Sequence, residues 1–159
     1  MTAIEVSHPP AALIRLVNRV LVFALPTPLG GPARKAIMVL RFTGRKSGRR
    51  YAVPVTAHRA DGTLMSLTGA PWRVNFRGGR DLDVVFEGRT TPMRGVLVEQ
   101  ARTVAEMYRQ RIDELGPKQA QRLLGIKITV PHLPTVEELT SDVEREHLSI
   151  IWLKPRDAG

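Results

Sequence analysis

The residues best suited to binding chemistry form one short cationic turn. Arginine, lysine and glycine dominate the run Thr43-Gly44-Arg45-Lys46-Ser47-Gly48-Arg49-Arg50. Glycines at both ends allow positive φ, and a turn of that kind can direct successive backbone N–H groups at an anion. Arginine and lysine side chains add charge-assisted hydrogen bonds. The run therefore indicates a phosphate site, although a solvated basic hairpin tip is the commoner structure for turns of this composition.

The segments on either side of this turn have the pattern of β-strands. Residues 36–42 and 51–60 are apolar and β-rich, which predicts a hairpin with the turn at its tip. Further strands are predicted at 64–68, 82–87 and 91–98, with Asp61-Gly62 a strong hairpin signal and Glu87-Gly88 a weaker one. Short strands with such regular turns indicate an antiparallel sheet or a small barrel.

Helical patterns occupy both ends of the chain. An amphipathic helix is predicted at 11–25, and a Pro/Gly-rich segment follows it up to residue 32. Later helices are predicted at 99–115, at 117–124 and, after a Thr135/Glu138 capping box, up to residue 146. Residues 70–79 predict a short helix or loop, and 147–153 a buried strand. The fold class is α+β in a single domain, with 1–32 as an N-terminal segment and 33–159 as the body.

Composition limits the chemistry. The chain has 159 residues, no cysteine, four histidines and a net charge of +9. Without cysteines there is no disulfide or thiolate site, and the histidine spacing gives no metal-binding pattern, so no metal is expected. The charge predicts an anionic partner. A second basic loop, with Arg73, Arg77 and Arg80, is expected to share a pocket with the first. The lack of a signal-type N-terminus predicts a cytoplasmic protein.

The N-terminal helix has two interpretations. Residues 11–25 are apolar except for Arg15, Asn18 and Arg19, which form one polar stripe. The segment is too short and too charged to span a bilayer. A helix that covers the core or a dimer seam is favoured over a peripheral membrane contact through residues 11–25.

Two motifs carry a family resemblance. The run Leu40-Arg-Phe-Thr-Gly-Arg-Lys-Ser-Gly48, followed by Val53-Pro54, resembles the deazaflavin-dependent nitroreductase family of flavin/deazaflavin oxidoreductases. The stretch Trp72-Arg-Val-Asn75 is similar to that family's Trp-x-x-Asn segment and follows Gly69-Ala70, where the family has small residues. The likeness covers residues 36–98.

The resemblance implies a split β-barrel of the FMN-binding type and the deazaflavin coenzyme F-420. The coenzyme's phosphate and acidic tail would bind at the cationic turn. It implies a cofactor-binding set of Thr43, Gly44, Arg45, Lys46, Ser47, Gly48, Arg49, Arg50, Val53, Pro54, Gly69, Ala70, Trp72, Arg73 and Asn75. It assigns no catalytic residue and no metal ligand, and family analogy adds a homodimer.

The function expected from the resemblance is hydride transfer between the reduced coenzyme and a small lipophilic acceptor such as a nitroaromatic, an enone or a quinone. One alternative is an FMN-binding split-barrel protein. Another is a non-catalytic binder of a hydrophobic anion such as a fatty acid. Nucleic-acid binding ranks last, because the aromatic residues form no base-stacking cluster.

Four side chains have competing roles. Trp72 is favoured as a core or dimer-interface residue over one stacked on a cofactor ring. Asn75 is expected either to anchor its loop or to cap a turn. Tyr108 is favoured as a packing residue over a hydroxyl donor to substrate, and His58 as a surface or hydrogen-bonded structural residue. No proton donor is assigned.

Overall fold

The computed structural model describes residues 2–7, 19 and 33–156. The described part is α+β, as predicted, with a curled seven-stranded antiparallel sheet and four helices. Its elements are β1 (Ile4–Val6), α1 (Ala33–Ala36), β2 (Ile37–Thr43), β3 (Arg50–Thr56), β4 (His58–Ala60), β5 (Thr63–Thr68), a 3-10 helix (Pro71–Phe76), β6 (Arg80–Phe86), β7 (Arg89–Val98), α2 (Ala101–Leu115), α3 (Pro117–Leu124), β8 (Ile126–Ile128), α4 (Val136–Glu146) and β9 (Ser149–Pro155).

The large sheet has the strand order β3-β2-β6-β7-β9-β5-β4 and curls into a half-barrel, consistent with a split β-barrel. β2 pairs antiparallel with β3 from Ile37↔Thr56 to Thr43↔Arg50. This register makes the cationic run the tip of a hairpin, as predicted. A second, two-stranded sheet pairs β1 with β8, and neither of these strands was predicted.

Both predicted hairpin turns are present. Asp61 and Gly62 have φ of 52° and 77°, and Glu87 and Gly88 have the same two values. Positive φ at both central residues is the condition for a type I′ turn, whose twist matches that of the flanking strands. The predicted strand 51–60 divides into β3 and β4, and the segment after Ala70 forms the 3-10 helix.

The chain divides into two compact units. Of the described residues, the first unit contains 2–7, 67–71 and 98–150, and the second contains 33–66, 72–97 and 151–156. The predicted N-terminal helix at 11–25, with its proposed membrane or dimer contact, lies outside the described residues except for Arg19, which is helical and exposed.

The second unit has a core cluster on one face of the sheet, while Val39 and Val85, a register pair on the other face, are buried as well. Met38, Leu40 and Phe42 of β2 alternate with outward-facing Arg41 and Thr43, as the two-residue period of a strand requires. Phe76 of the 3-10 helix is fully buried in the same core. Other members of this core are Leu82, Val84, Met93, Ile151 and Leu153.

The first unit is built around helices α2 and α4, which pack against each other. The buried stripe of α2 includes Val104, Tyr108 and Ile112. The predicted capping box begins α4: Glu138 N–H donates to Thr135 Oγ1 at 3.2 Å, and Thr135 N–H donates to Glu138 Oε1 at 3.1 Å. These reciprocal bonds satisfy two amides that the helix itself cannot pair.

Candidate anion-binding site

The cationic turn closes on itself through its own backbone. Gly44 N–H donates to the carbonyl of Arg49 at 2.8 Å, and Gly48 N–H donates to the carbonyl of Gly44 at 3.1 Å. Arg49 N–H donates to Ser47 Oγ at 3.2 Å. These bonds define the turn's shape, because they link its two ends and its centre.

A second set of bonds ties the turn to the 3-10 helix. Asn75 Oδ1 accepts from Arg45 N–H at 2.9 Å, and Asn75 Nδ2 donates to the carbonyl of Trp72 at 2.8 Å. The Arg45 guanidinium donates through Nη2 to the carbonyl of Gly79 at 3.1 Å. Asn75 thus anchors the cationic turn as well as its own helix, and Arg45 is held in place by both its backbone and its side chain.

The two glycines of the turn serve different purposes. Gly48 has φ of 68°, the positive value expected from the sequence. Gly44 does not share it, so the expectation of positive φ at both ends is wrong for this residue. Its constraint is space: a Cβ there would lie 2.7 Å from Ser47 Oγ and 3.0 Å from the ring of Tyr51.

The turn presents an unpaired set of donors. Lys46, Arg49 and Arg50 are exposed, and none of them forms an ion pair with any other described residue. The backbone N–H groups of Lys46 and Ser47 likewise make no hydrogen bond within the described part of the chain. Ammonium, guanidinium and amide donors on a fixed backbone are the groups that bind phosphate and carboxylate oxygens.

A cleft of about 540 Å³ lies on the outer face of the sheet and includes Thr43, at the first end of the turn. Its wall contains Arg41, Arg80 and three carboxylate–guanidinium contacts. Arg94 lies 3.1 Å from Asp81, and Arg156 lies 3.3 Å from Asp83 and 3.7 Å from Asp81. Within residues 33–156, Arg41 and Arg80 form no ion pair. The cleft is therefore cationic.

The second basic loop contributes only in part to this cleft. Of its three predicted cations, Arg80 lines the cleft, whereas Arg73 is half-buried in the 3-10 helix and Arg77 is exposed beyond it. Arg94 and Arg156 were not predicted as part of a site. The alternation of Asp81 and Asp83 with buried Leu82 is a sequence signal for their shared outward face, but their arginine partners come from β7 and from the residue after β9.

The remaining predicted residues of the second unit, Trp72, Val53 and Pro54, are partly buried. Trp72 packs against Phe42 and Phe76, with ring centroids 5.9 and 6.3 Å apart, which agrees with the favoured packing role. Val53 of β3 packs against the same core, and Pro54 lies opposite Val39 in the β2–β3 register. Since Val53 and Pro54 belong to the strand that leaves the turn, they support its position.

Gly69 and Ala70 belong to the first unit. They line a cavity of about 370 Å³ whose wall also includes Tyr108. A Cβ at Gly69 would lie 2.8 Å from the carbonyl oxygen of Glu146, so the chain passes too close there for any side chain. Burial raises the pKa of the Tyr108 phenol, which keeps it protonated.

His58 is buried in β4, with 2% of its surface exposed, so the surface alternative for this residue is wrong and a structural role remains.

In the described ranges, no group of three His, Asp or Glu side chains is arranged to hold a metal ion. None of the helices described there is long and apolar enough to cross a membrane.

Comparisons with known proteins identify no family. No family model matches the chain, and no curated protein matches it. Among solved structures, a chain described as a domain-swapped dimer matches with a TM-score of 0.46 and 14% identity, over 92% of this chain and 100% of that one. A likeness of that size carries no functional argument. The coenzyme, the acceptor and the homodimer therefore stay predictions.

Proposed function

We propose that the protein is an oxidoreductase that uses the deazaflavin coenzyme F-420 and transfers hydride between it and a small lipophilic acceptor. The observation that carries this proposal is the cationic turn, residues 43–50. Its backbone is fixed by internal bonds and by Asn75, while Lys46, Arg49 and Arg50 stay exposed and unpaired among the described residues.

The donor chemistry of the turn suits the proposed coenzyme. A phosphate diester accepts hydrogen bonds through its oxygens, and the acidic tail adds carboxylates that pair with arginine and lysine. Lys46 and Ser47 would bind the phosphate through their N–H groups and side chains, and Arg49 and Arg50 would contribute charge. Fixing these donors in advance lowers the entropy lost when the coenzyme binds.

The coenzyme, when bound, supplies the hydride, and a nitroaromatic, an enone or a quinone is the class of acceptor that takes it. The chain's own task is to bind and orient the coenzyme and to keep water from it. Asn75 would serve this task as a positioning residue, since it contacts the turn rather than the ligand.

A fluorescence titration tests the proposal. The purified protein is titrated in parallel with oxidised coenzyme F-420, FMN and a fluorescent fatty acid. We expect tight binding of the coenzyme, and a fall in affinity of about tenfold in Lys46→Ala, as expected for a hydrogen bond to a charged group. Lys118→Ala, which removes an exposed lysine of α3, is the matched control and should leave the affinity unchanged.

Reduced coenzyme is then mixed with protein and a quinone or nitroaromatic acceptor, and its oxidation is followed by absorbance. Protein-dependent oxidation supports the proposal. Binding of FMN with no binding of the deazaflavin would replace it with the FMN alternative. Binding of the fatty acid alone would replace it with the non-catalytic alternative.

A further inference from the structure

The first unit contains a cavity whose wall includes no residue of the cationic turn. Its volume of about 370 Å³ is at the small end of the range of about 300–1,000 Å³ that small-molecule sites occupy. All its lining residues belong to the first unit. They are Val6, Ser7, Leu67, Thr68, Gly69, Ala70, Pro71, Tyr108, Leu124, Gly125, Glu146 and Leu148.

Tyr108 is the deeply buried polar residue of this wall. The residue is 1% exposed, yet its hydroxyl makes no hydrogen bond to any described residue. Hydroxyls inside proteins are normally paired, so a hydroxyl without a protein partner in the wall of a cavity is available to donate to a bound molecule. Burial also raises the phenol's pKa, so the group is an O–H donor and never a phenolate at physiological pH.

The rest of the wall determines which charge of ligand the cavity favours. Side chains of Val6, Leu67, Leu124 and Leu148 give the wall an apolar character. Glu146 is also a lining residue, and its half-buried carboxylate lies 3.3 Å from Arg145 Nε. None of the described lining residues is a lysine, arginine or histidine, so an anion would find no cationic partner in this wall and the cavity disfavours acids.

We infer that this cavity is a binding site for a small, neutral, lipophilic molecule with one hydrogen-bond acceptor oxygen, and that the Tyr108 hydroxyl donates to that oxygen. The site is independent of the cationic turn, which attracts anions. It adds a second ligand class to the protein, and it holds whether or not the turn binds a deazaflavin.

A matched pair of probes tests the inference. 1-Tetralone is a bicyclic ketone, and tetralin is the corresponding hydrocarbon without the acceptor oxygen. Binding of each is measured by NMR chemical-shift titration of the isotope-labelled full chain, with no coenzyme present. We expect tetralone to shift the backbone amide resonances of Gly69 and Gly125, which are both in the wall.

The Tyr108→Phe variant keeps the ring and removes the hydroxyl. We expect it to weaken tetralone binding about tenfold and to change tetralin binding by less than about twofold, since only the ketone loses a hydrogen bond. Tyr51→Phe alters the chain's other tyrosine, in the second unit, and should change neither affinity.

Three results would overturn the inference. The first is that the two glycine amides do not move in the unaltered chain. The second is that Tyr108→Phe weakens tetralone and tetralin equally, which would assign the residue to packing alone. The third is displacement of tetralone by the oxidised deazaflavin, which would make the cavity part of a coenzyme site. The amide shifts do not depend on how well the variant folds.

Discussion

Two charged regions of this protein are built in opposite ways. Asp142 of α4, in the first unit, is 1% exposed, and its Oδ2 accepts from the N–H groups of Ala3 and Ile4, both at 3.0 Å. Its Oδ1 accepts from Arg145 Nη1 at 2.6 Å, and Arg145 Nη2 donates to the carbonyl of Ile4 at 3.0 Å. Asp142 therefore ties the N-terminal strand to α4, directly through Oδ2 and indirectly through Arg145.

The cationic turn of the second unit has the opposite arrangement. Its backbone is held by internal bonds and by Asn75, but the side chains of Lys46, Arg49 and Arg50 are exposed and have no partner among the described residues. A buried charge requires full pairing and therefore supports the fold, whereas exposed cations on a fixed backbone remain available to a ligand. We therefore expect removal of a charge to lower the stability at Asp142 and to lower the ligand affinity at the cationic turn.

The largest effect is expected from Asp142→Ala. The change leaves two buried backbone N–H groups without their acceptor and removes one of the three acceptors of Arg145, and we expect it to cost about 3–5 kcal/mol in the free energy of unfolding. Denaturant-induced unfolding measures this loss. Asp113→Ala is the matched control, because Asp113 is an exposed helical aspartate that lies 3.4 Å from Arg109. We expect it to cost less than about 1 kcal/mol. Equal losses in the two variants would contradict the comparison.

Asn75→Ala tests the link between the turn's backbone and its function. The change removes the bond from Arg45 N–H and the bond to the Trp72 carbonyl. We expect stability to fall by about 1–2 kcal/mol, and affinity for the coenzyme to fall about tenfold, because the donors are no longer held in place. The control is Gln119→Ala, at an exposed amide of α3. An unchanged affinity would show that Asn75 is structural only.

The features predictable from sequence are those set by neighbouring residues. The Asp61-Gly62 turn and the Thr135/Glu138 capping box depend on residues at most three positions apart, and both are present. The Asn75–Arg45 bond joins residues 30 positions apart, and the Asp142–Ala3 bond joins residues 139 apart. No local pattern encodes such pairs. β1 and β8, of three residues each, are too short to show a period.

Arg49→Gln isolates the electrostatic part of ligand binding. We expect it to lower coenzyme affinity about tenfold at low salt and to leave the free energy of unfolding within about 0.5 kcal/mol of its original value. The loss should shrink as salt is added, because the Debye length falls from about 30 Å at 0.01 M to about 10 Å at 0.1 M. Arg122→Gln, at an exposed arginine of α3, should change neither quantity. A salt-independent loss would indicate a steric cause.

The smallest effect is expected from a charge at the edge of the first unit. The pKa of Glu138 is lowered from its ordinary value of 4.5, first by the His132 side chain, 2.9 Å from its Oε1, and then by Thr135 N–H. A lowered pKa in the folded chain contributes stability above the unfolded value, and this contribution is lost as pH falls through the folded value.

Glu138→Gln keeps the capping-box acceptor and removes the charge. We therefore expect the variant to be slightly less stable than the original chain at neutral pH, and the gap to close as pH falls below 4.5. Denaturant unfolding across that pH range measures the gap, with Glu144→Gln, at an exposed position of the same helix, as the control. A gap that persists at low pH would assign the effect to side-chain shape. Because Glu138 is at the surface, such a result would leave buried Asp142 as the carboxylate whose charge matters most to this unit.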